Sequence, residues 1–335
     1  MILTRGARVT GAVLCALLAV IVAGWLVRDV RAVDDPGQLW RYWAFSYERR
    51  PAALPATSAD DVMLLVAYLV AAVAALRSSV AATALVATGV VTLVVRLPGL
   101  WNIGEPRMEA GYSDDLRTRA LVCAFAALAA GIALIIVAGA GRRPARDSSE
   151  AAPTRPGQGA GVTAFLLLGA AGAVVTAWEI RQAVRFPEIY PDWYLGGDRV
   201  FQGLIDPPPG WSGAVLALLC LYAATSALGR AVHARPFGLI AAGGLLSDGA
   251  LGVARAVHYE FLGHFGDLLV EEQLTVLTWL FEVIAGAAVL IVLARRGTVG
   301  TGTPAPHHQG YGQGYGGPRP GVFGPPPPSQ PPPGW

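Results

Sequence analysis

Three acidic residues lie inside or at the ends of long apolar stretches, and they are the first candidates for chemistry. Asp248 is the most central of them, in the segment GLLSDGALG, with Ser247 beside it. A carboxylate at the centre of a membrane helix costs about 2.5–3.5 kcal/mol on insertion scales, so it usually has a partner or a function. We interpret Asp248, Glu282 and Ser247 as candidates to bind a substrate or an ion. Glu179 lies at a helix end beside Arg181 and is expected to extend to the membrane interface.

Two interpretations of Asp248 are open. It is a cation or proton site, or a polar contact for a substrate, near the middle of the membrane. Alternatively, it is a protonated carboxyl group that forms a hydrogen bond across a helix contact. Both interpretations predict that Asp248 faces the interior of the bundle, because a lipid-facing carboxylate would have no hydrogen-bond partner at that depth. The expected partners are Ser247, Thr225, Ser226, Thr275 and Thr278.

A second group of candidates lies in the segment HYEFLGHFGDLLVEEQ, which is expected to be an outer loop. The candidates are His258, Glu260, His264 and Asp267. In a helix, the last three would share one face with Glu271, and imidazole with carboxylates could hold a divalent metal or collect protons. Gly263 and Gly266 oppose a continuous helix, and no zinc motif is present. We therefore expect a solvated acidic loop and predict neither a metal nor a cofactor.

The sequence contains no other pattern that indicates catalysis. There is no glycine-rich phosphate loop, no serine–histidine–aspartate order and no cysteine–histidine pair, so no catalytic residue is predicted. Cys15, Cys123 and Cys220 fall within apolar stretches, where a thiol is usually a small apolar side chain.

The composition is that of a membrane protein. Hydrophobic residues make up 54% of the chain and charged residues only 14%, whereas soluble domains carry about 25% charged residues. All 25 basic residues are arginine, which is typical of a high-GC bacterial genome. The net charge of +2 does not indicate a nucleic-acid partner. We therefore predict that the protein lies in a lipid bilayer.

Eight apolar stretches are candidates for membrane-spanning helices, because a span needs about 20 apolar residues. They cover residues 9–27, 62–76, 80–97, 120–138, 162–180, 213–228, 237–254 and 274–294. The second and the sixth are short for a bilayer and must either use flanking residues or thin the bilayer locally. Backbone groups in hydrocarbon must be paired internally, so the predicted fold class is an all-α polytopic membrane protein.

The two halves of the sequence repeat each other at a constant offset of 153 residues. Matching residues are Trp25 and Trp178, Arg28 and Arg181, Trp40 and Trp193, Pro55 and Pro208, and Arg77 and Arg230. Four spans per half make the repeat parallel, with a pseudo-two-fold axis along the membrane normal. We predict a first four-helix repeat at 1–138, a cytoplasmic polar linker at 139–160, a second repeat at 161–296 and a disordered Pro/Gly-rich tail at 297–335.

The loops predict the orientation in the membrane. The short connections on the side of the two termini are denser in arginine, which places both termini in the cytoplasm of a cell with a plasma membrane. On the other side, Asp35 and Pro36 predict the start of an interfacial helix whose face carries Trp40, Trp43 and Tyr47. These aromatic residues either mark the headgroup region or form a surface on which a ligand ring stacks.

Two classes of function fit these features. A small-solute or ion-coupled transporter is favoured by the duplication and by Asp248 and Glu282. A non-catalytic membrane scaffold, or an assembly or regulatory protein, is favoured by the lack of catalytic motifs and by the proline-rich tail. Such a tail either binds a protein that recognises polyproline or is simply flexible. An intramembrane enzyme is the third interpretation, and the identity of a small-molecule ligand does not follow from the sequence.

Overall fold

The computed structural model describes residues 2–33, 35–47, 53–144, 154–200, 202–295 and 297–299. Within them, eight helices are long and apolar enough to cross a membrane. These helices are α1 (Arg5–Ala32), α3 (Ala59–Arg77), α4 (Ala81–Arg96), α7 (Asp114–Ala140), α8 (Gln158–Arg185), α10 (Pro209–Leu228), α11 (Ala234–His258) and α12 (Val270–Ala294). The short helices are α2 (Pro36–Trp43), α5 (Gly99–Asn102), α6 (Pro106–Gly111) and α9 (Tyr190–Leu195).

The eight predicted spans are confirmed as eight long helices, and most are longer than their apolar stretches. α3 has 19 residues and α10 has 20, because both begin in polar or proline-containing sequence. The Asp61 carboxylate accepts a hydrogen bond from the Ser58 N–H at the start of α3, and Pro209 occupies the first position of α10. α3 ends at Arg77 and α4 begins at Ala81, so these two stretches form separate helices joined by residues 78–80.

The helices of each half pack in the same order. In the first half α1 packs on α3 and α4 on α7, while the pairs α3–α4 and α1–α7 complete the bundle. In the second half α8 packs on α10 and α11 on α12, completed by α10–α11 and α8–α12. The halves meet along α3, α4, α10 and α11.

Two short antiparallel strand pairs close the halves at one end, which we call the strand side. β1 (Ile2–Leu3) pairs with β2 (Arg142–Arg143), and β3 (Thr154–Arg155) pairs with β4 (Thr298–Val299). Each pair joins the chain just before the first long helix of a half to the chain just after its last. The opposite end, the loop side, carries α2, α5, α6 and α9.

Glycines allow α11 and α12 to approach closely. A Cβ atom at Gly249 would lie 2.7 Å from the Trp279 carbonyl oxygen, and one at Gly286 would lie 2.8 Å from that of Ala242. Both contacts are with backbone, so no side-chain movement would relieve them. Small residues at a helix contact permit this packing in membranes, where there is little hydrophobic driving force between helices.

The outward surface of the long helices is apolar, as in Val20, Val122, Leu218 and Ile284, and it fits contact with lipid. Two predicted segments lie largely outside the described residues. They are the disordered tail at 297–335, of which 298–299 form β4, and the middle of the linker, 145–153. The predicted linker is also shorter than 139–160, since α7 continues to Ala140 and α8 begins at Gln158.

Candidate functional site

A cavity of about 430 Å³ lies between the two halves, towards the loop side. Residues of α2, α3, α8, α10, α11 and α12 line it, together with the segment that precedes α10. Its carboxyl groups are Asp60, Glu179, Asp206, Asp248 and Glu282. Its aromatic rings include Tyr42, Trp43, Trp178, Trp193, Trp211 and Trp279. A volume of this size accommodates one small ligand.

Asp248 and Glu282 line this cavity together. Asp248 projects from α11 and is accessible inside the cavity. The Glu282 carboxyl group, on α12, lies against that of Asp248 and is close enough to share a proton with it. Glu282 is only 3% exposed, and apart from Asp248 its Oε2 atom has no hydrogen-bond partner among the described residues. Asp248 therefore faces the interior of the bundle, as we expect from the free-energy cost of exposing a carboxylate to lipid.

Only some of the residues that we expected near Asp248 lie near it in the structure. Thr275 and Thr278 line the cavity. The Thr225 hydroxyl donates instead to the Leu221 carbonyl oxygen, and Ser226 lies 3.1 Å from the ring of His233.

Ser247 does not line the cavity with Asp248. It faces an apolar surface groove between α3 and α11, beside Val66 and Val70. Successive residues on a helix point about 100° apart, so adjacency in sequence does not put two side chains on one face. The predicted pairing of Ser247 with Asp248 is not formed.

Asp60 and Asp61 are acids of the first half that sequence reasoning missed. They occupy the first turn of α3, where the helix dipole favours negative charge. Asp61 forms a buried ion pair with Arg96 of α4, and Arg96 also donates to the Ile205 carbonyl oxygen at 3.1 Å. Asp60 points into the cavity. The prediction that α3 begins at residue 62 placed both acids in a loop and hid them.

Asp206 is the third acid that was missed. It lies in the loop before α10, and its Oδ2 atom accepts a hydrogen bond from the Gly203 N–H at 3.2 Å. Its Oδ1 atom is buried and has no hydrogen-bond partner among the described residues. Burial, together with the charges of Asp61 and Asp60, raises the pKa of the Asp206 carboxyl group well above its usual value.

Glu179 does not extend to the interface as predicted. Its carboxylate accepts hydrogen bonds from Trp193 Nε1 at 3.1 Å and from the Tyr194 hydroxyl at 2.8 Å. Both donors belong to α9, which folds over the end of α8. Gly213 provides the space for Glu179, because a Cβ atom there would overlap the carboxyl group. Glu179 is thus a fixed part of the cavity wall.

Hydrogen bonds from indole N–H groups hold several of the aromatic rings. Trp178 Nε1 donates to the Thr278 hydroxyl at 3.1 Å, and Trp211 Nε1 donates to the Val94 carbonyl oxygen at 2.8 Å. Each of these bonds joins two long helices. The rings are therefore oriented before any ligand enters, which reduces the entropy cost of binding.

Arg255 of α11 packs against two rings that line the cavity, Phe45 and Trp279. Its Nε atom donates to the Ala44 carbonyl oxygen at 3.0 Å. Its guanidinium lies over the rings of Phe45 and Trp279, at 5.0 Å and 5.4 Å from their centroids. Phe45 follows the end of α2 with a positive φ of 52°, which turns the chain towards α11. The prediction of a helix face that continues to Tyr47 is wrong, because α2 ends at Trp43.

The outer-loop candidates do not come together. α11 ends at His258, Glu260 has a positive φ of 56°, and only 265–267 form a short 3₁₀ helix. His258, Glu260, His264 and Asp267 are all exposed. The described part of the chain contains no group of three or more His, Cys, Asp or Glu residues that could hold a metal.

No family model, curated protein or solved structure matches this chain. The structure identifies it as a multi-pass membrane protein with eight long apolar helices and a central cavity lined with acids.

Proposed function

We propose that the protein carries a small solute across the plasma membrane of a bacterium. The observation that carries this proposal is the position of Asp248 and Glu282, which share one cavity between two four-helix halves. Carboxyl groups at membrane depth are costly and mark substrate or ion pathways. A scaffold would not need them to face a cavity.

A duplication of the chain supports the proposal. α1 and α8 both have 28 residues, and they begin at residues 5 and 158, at the offset of 153 that the sequence shows. The order of packing and the closing strand pairs also correspond between the halves. We infer a parallel repeat with a pseudo-two-fold axis along the membrane normal. Rocking of two such halves is a common way to expose a central site to either side.

We infer that contacts between the halves close the cavity towards both sides of the membrane. On the loop side, Arg255 bridges α11 and the segment after α2. Towards the strand side, Leu219 and Ile240 pack against the apolar cores of both halves. Each closure consists of a few contacts, so each can open while the other holds. Following the arginine density of the loops, we place the strand side in the cytoplasm.

Access to the cavity from both sides tests the proposal without knowledge of the solute. Thr275→Cys is introduced into a chain in which Cys15, Cys123 and Cys220 are replaced by alanine. It is then labelled with a membrane-impermeant thiol reagent in right-side-out and in inverted vesicles. We expect labelling in both, because the cavity of a transporter opens alternately to each side. Val66→Cys, on the exposed face of α3, is the control that should stay unlabelled in lipid. Labelling of Thr275→Cys from one side only would contradict transport and favour the scaffold.

A further inference from the structure

We propose that the solute of this cavity is a small organic cation, an ammonium group carried on an apolar or aromatic body. This inference rests on the proposed function for its transport step, but the binding it requires is tested separately below. Three features of the cavity support it: its excess of acids over cations, a buried pair of carboxyl groups and its aromatic walls.

Carboxyl groups outnumber cationic groups in the wall of the cavity. Among the described residues that line it, five carry a carboxyl group and none is an arginine, lysine or histidine. Among the described residues, none of the five forms a salt bridge, whereas the acids just outside, Asp29 and Asp61, are paired with Arg28 and Arg96. Two guanidinium groups lie near the cavity but outside its described lining. Arg255 is engaged with the Ala44 carbonyl oxygen and two rings, and Arg96 is paired with Asp61. A cation would be attracted to these acids, whereas an anionic solute would find no cationic partner in the described lining.

Glu282 identifies where the cation binds. Its side chain is 97% inaccessible and lines the cavity, where its carboxyl group lies against that of Asp248. The two carboxyl groups share a proton, and a bound cation would take the place of that proton. Asp248 lies beside it, and Asp60 of the first half is near enough to interact with Asp248 electrostatically. A cation at this point contacts acids of both halves.

The aromatic walls select an organic cation over a metal ion. Cations bind over the faces of tryptophan, tyrosine and phenylalanine rings, and quaternary ammonium ions are recognised in this way. The protein already holds one cation like this, since the guanidinium of Arg255 lies over Phe45 and Trp279. Hard metal ions need six to eight oxygen ligands at short distance. A cavity of about 430 Å³ with indole walls instead fits an ammonium ion and its carbon body.

Binding of choline to the purified full-length protein in nanodiscs, followed by tryptophan fluorescence, tests this inference. The matched probe is the uncharged alcohol in which a tert-butyl group replaces trimethylammonium. We expect choline to bind at least about tenfold more tightly than the alcohol, and not to be displaced by sodium ions at the same concentration. Equal binding of choline and alcohol, or displacement by sodium alone, would overturn the inference.

Two pairs of variants locate the binding. Glu282→Gln keeps the shape and removes the charge, and it should weaken choline binding at least about tenfold. Glu260→Gln, an exposed acid on the same side of the protein, should not change it. Trp178→Leu should weaken choline binding about threefold to thirtyfold, while Trp40→Leu on the outer surface should not. Unchanged affinity in Glu282→Gln that elutes and melts like the parent protein would refute the assignment.

Counterflow of labelled choline into proteoliposomes separates this inference from the transport proposal. Binding without counterflow would retain the organic-cation site and overturn transport. Counterflow of an uncharged solute, without choline binding, would retain transport and overturn the organic cation.

Discussion

Two groups of acidic residues stand out in this protein: those held by a set of hydrogen-bond donors, and those without such a set, among them the central pair of the cavity. Asp29 belongs to the first group. Its carboxylate is fully buried and accepts hydrogen bonds from the N–H groups of Ala56 and Thr57 and from the Thr57 hydroxyl, all at 2.7–2.8 Å. Asp248 and Glu282 have no comparable set of donors. The first group holds the loops against the helices, and the second group remains free to bind.

The Asp61–Arg96 pair should be essential for stability. Arg96 is 8% exposed and Asp61 1%, so Asp61→Asn leaves a buried guanidinium without its charge partner. We expect a loss of about 3–5 kcal/mol in the free energy of unfolding. The measurement is thermal unfolding in detergent. Asp115→Asn, which breaks an exposed pair with Arg119, is the control and should leave the melting temperature almost unchanged. A melting temperature of Asp61→Asn equal to that of the control would show that the pair is not important.

Asp206 should make the stability of the protein depend on pH. Because its pKa is raised in the folded state, the fold binds this proton more tightly than the unfolded chain does. Its contribution to stability is complete below the ordinary aspartate pKa of about 4 and is lost as pH rises through the raised pKa. Asp60 and Asp61 strengthen the effect, and Arg96 opposes it.

The melting temperature of the wild type should therefore fall over this pH range by more than that of Asp206→Asn. If the melting temperatures of the two proteins changed equally with pH, the raised pKa of Asp206 would be contradicted. Thermal unfolding at a series of pH values provides the comparison.

Some of the acids that line the cavity could be predicted from the sequence and others could not, for a physical reason. Asp248 and Glu282 stand out because they interrupt apolar stretches. Asp60 and Asp206 lie in polar sequence, where an acid is unremarkable, and only the folding of loops over the helix ends buries them. Hydropathy indicates which residues of a helix lie in the membrane. It does not indicate which loop covers the end of that helix.

At the scale of helices, the contact between α11 and α12 positions the two central acids. Gly249 should tolerate no larger residue, since a Cβ atom there would lie 2.7 Å from the Trp279 carbonyl oxygen and 2.8 Å from the Val283 nitrogen. Gly249→Ala must separate the helices, and we expect it to destabilise the protein by about 1–3 kcal/mol. Gly24→Ala, in α1 with no atom within 4 Å of the added carbon, should be neutral or slightly stabilising.

Melting temperatures of the two variants, measured side by side, check this prediction. Equal values would contradict the close contact. Choline affinity should also fall in Gly249→Ala, because Glu282 then moves away from Asp248.

Helix ends were harder to predict from the sequence than helix centres. The apolar stretches gave eight helices, but α1 extends four residues beyond its stretch towards the N-terminus and five towards the C-terminus. Polar residues continue a helix when tertiary contacts satisfy them, as in Asp29 and Asp61. α2 shows the reverse, since capping by Asp35 was predicted correctly but the helix stops at Trp43.

At the scale of the whole molecule, Arg255 joins the halves on the loop side, where we infer that it closes the mouth of the cavity. Arg255→Gln removes the stacked cation and weakens the bridge to Ala44. We expect faster labelling of Thr275→Cys from the loop side and slower labelling from the strand side. Arg119→Gln, at an exposed pair on the same side, is the matched control. An unchanged labelling rate from both sides would mean that Arg255 does not close the mouth.

The two closures differ in chemistry, and this difference has a thermal consequence. Hydrogen bonds to backbone carbonyl groups join the halves on the loop side, from Arg255, Arg96 and Trp211. Towards the strand side, apolar contacts around Leu219 and Ile240 join the two halves. Apolar association carries a large heat-capacity change and weakens on cooling, whereas hydrogen bonds do not share this dependence. Cooling should therefore favour the conformation in which the cavity opens to the strand side, so temperature alone biases the direction in which the binding site faces.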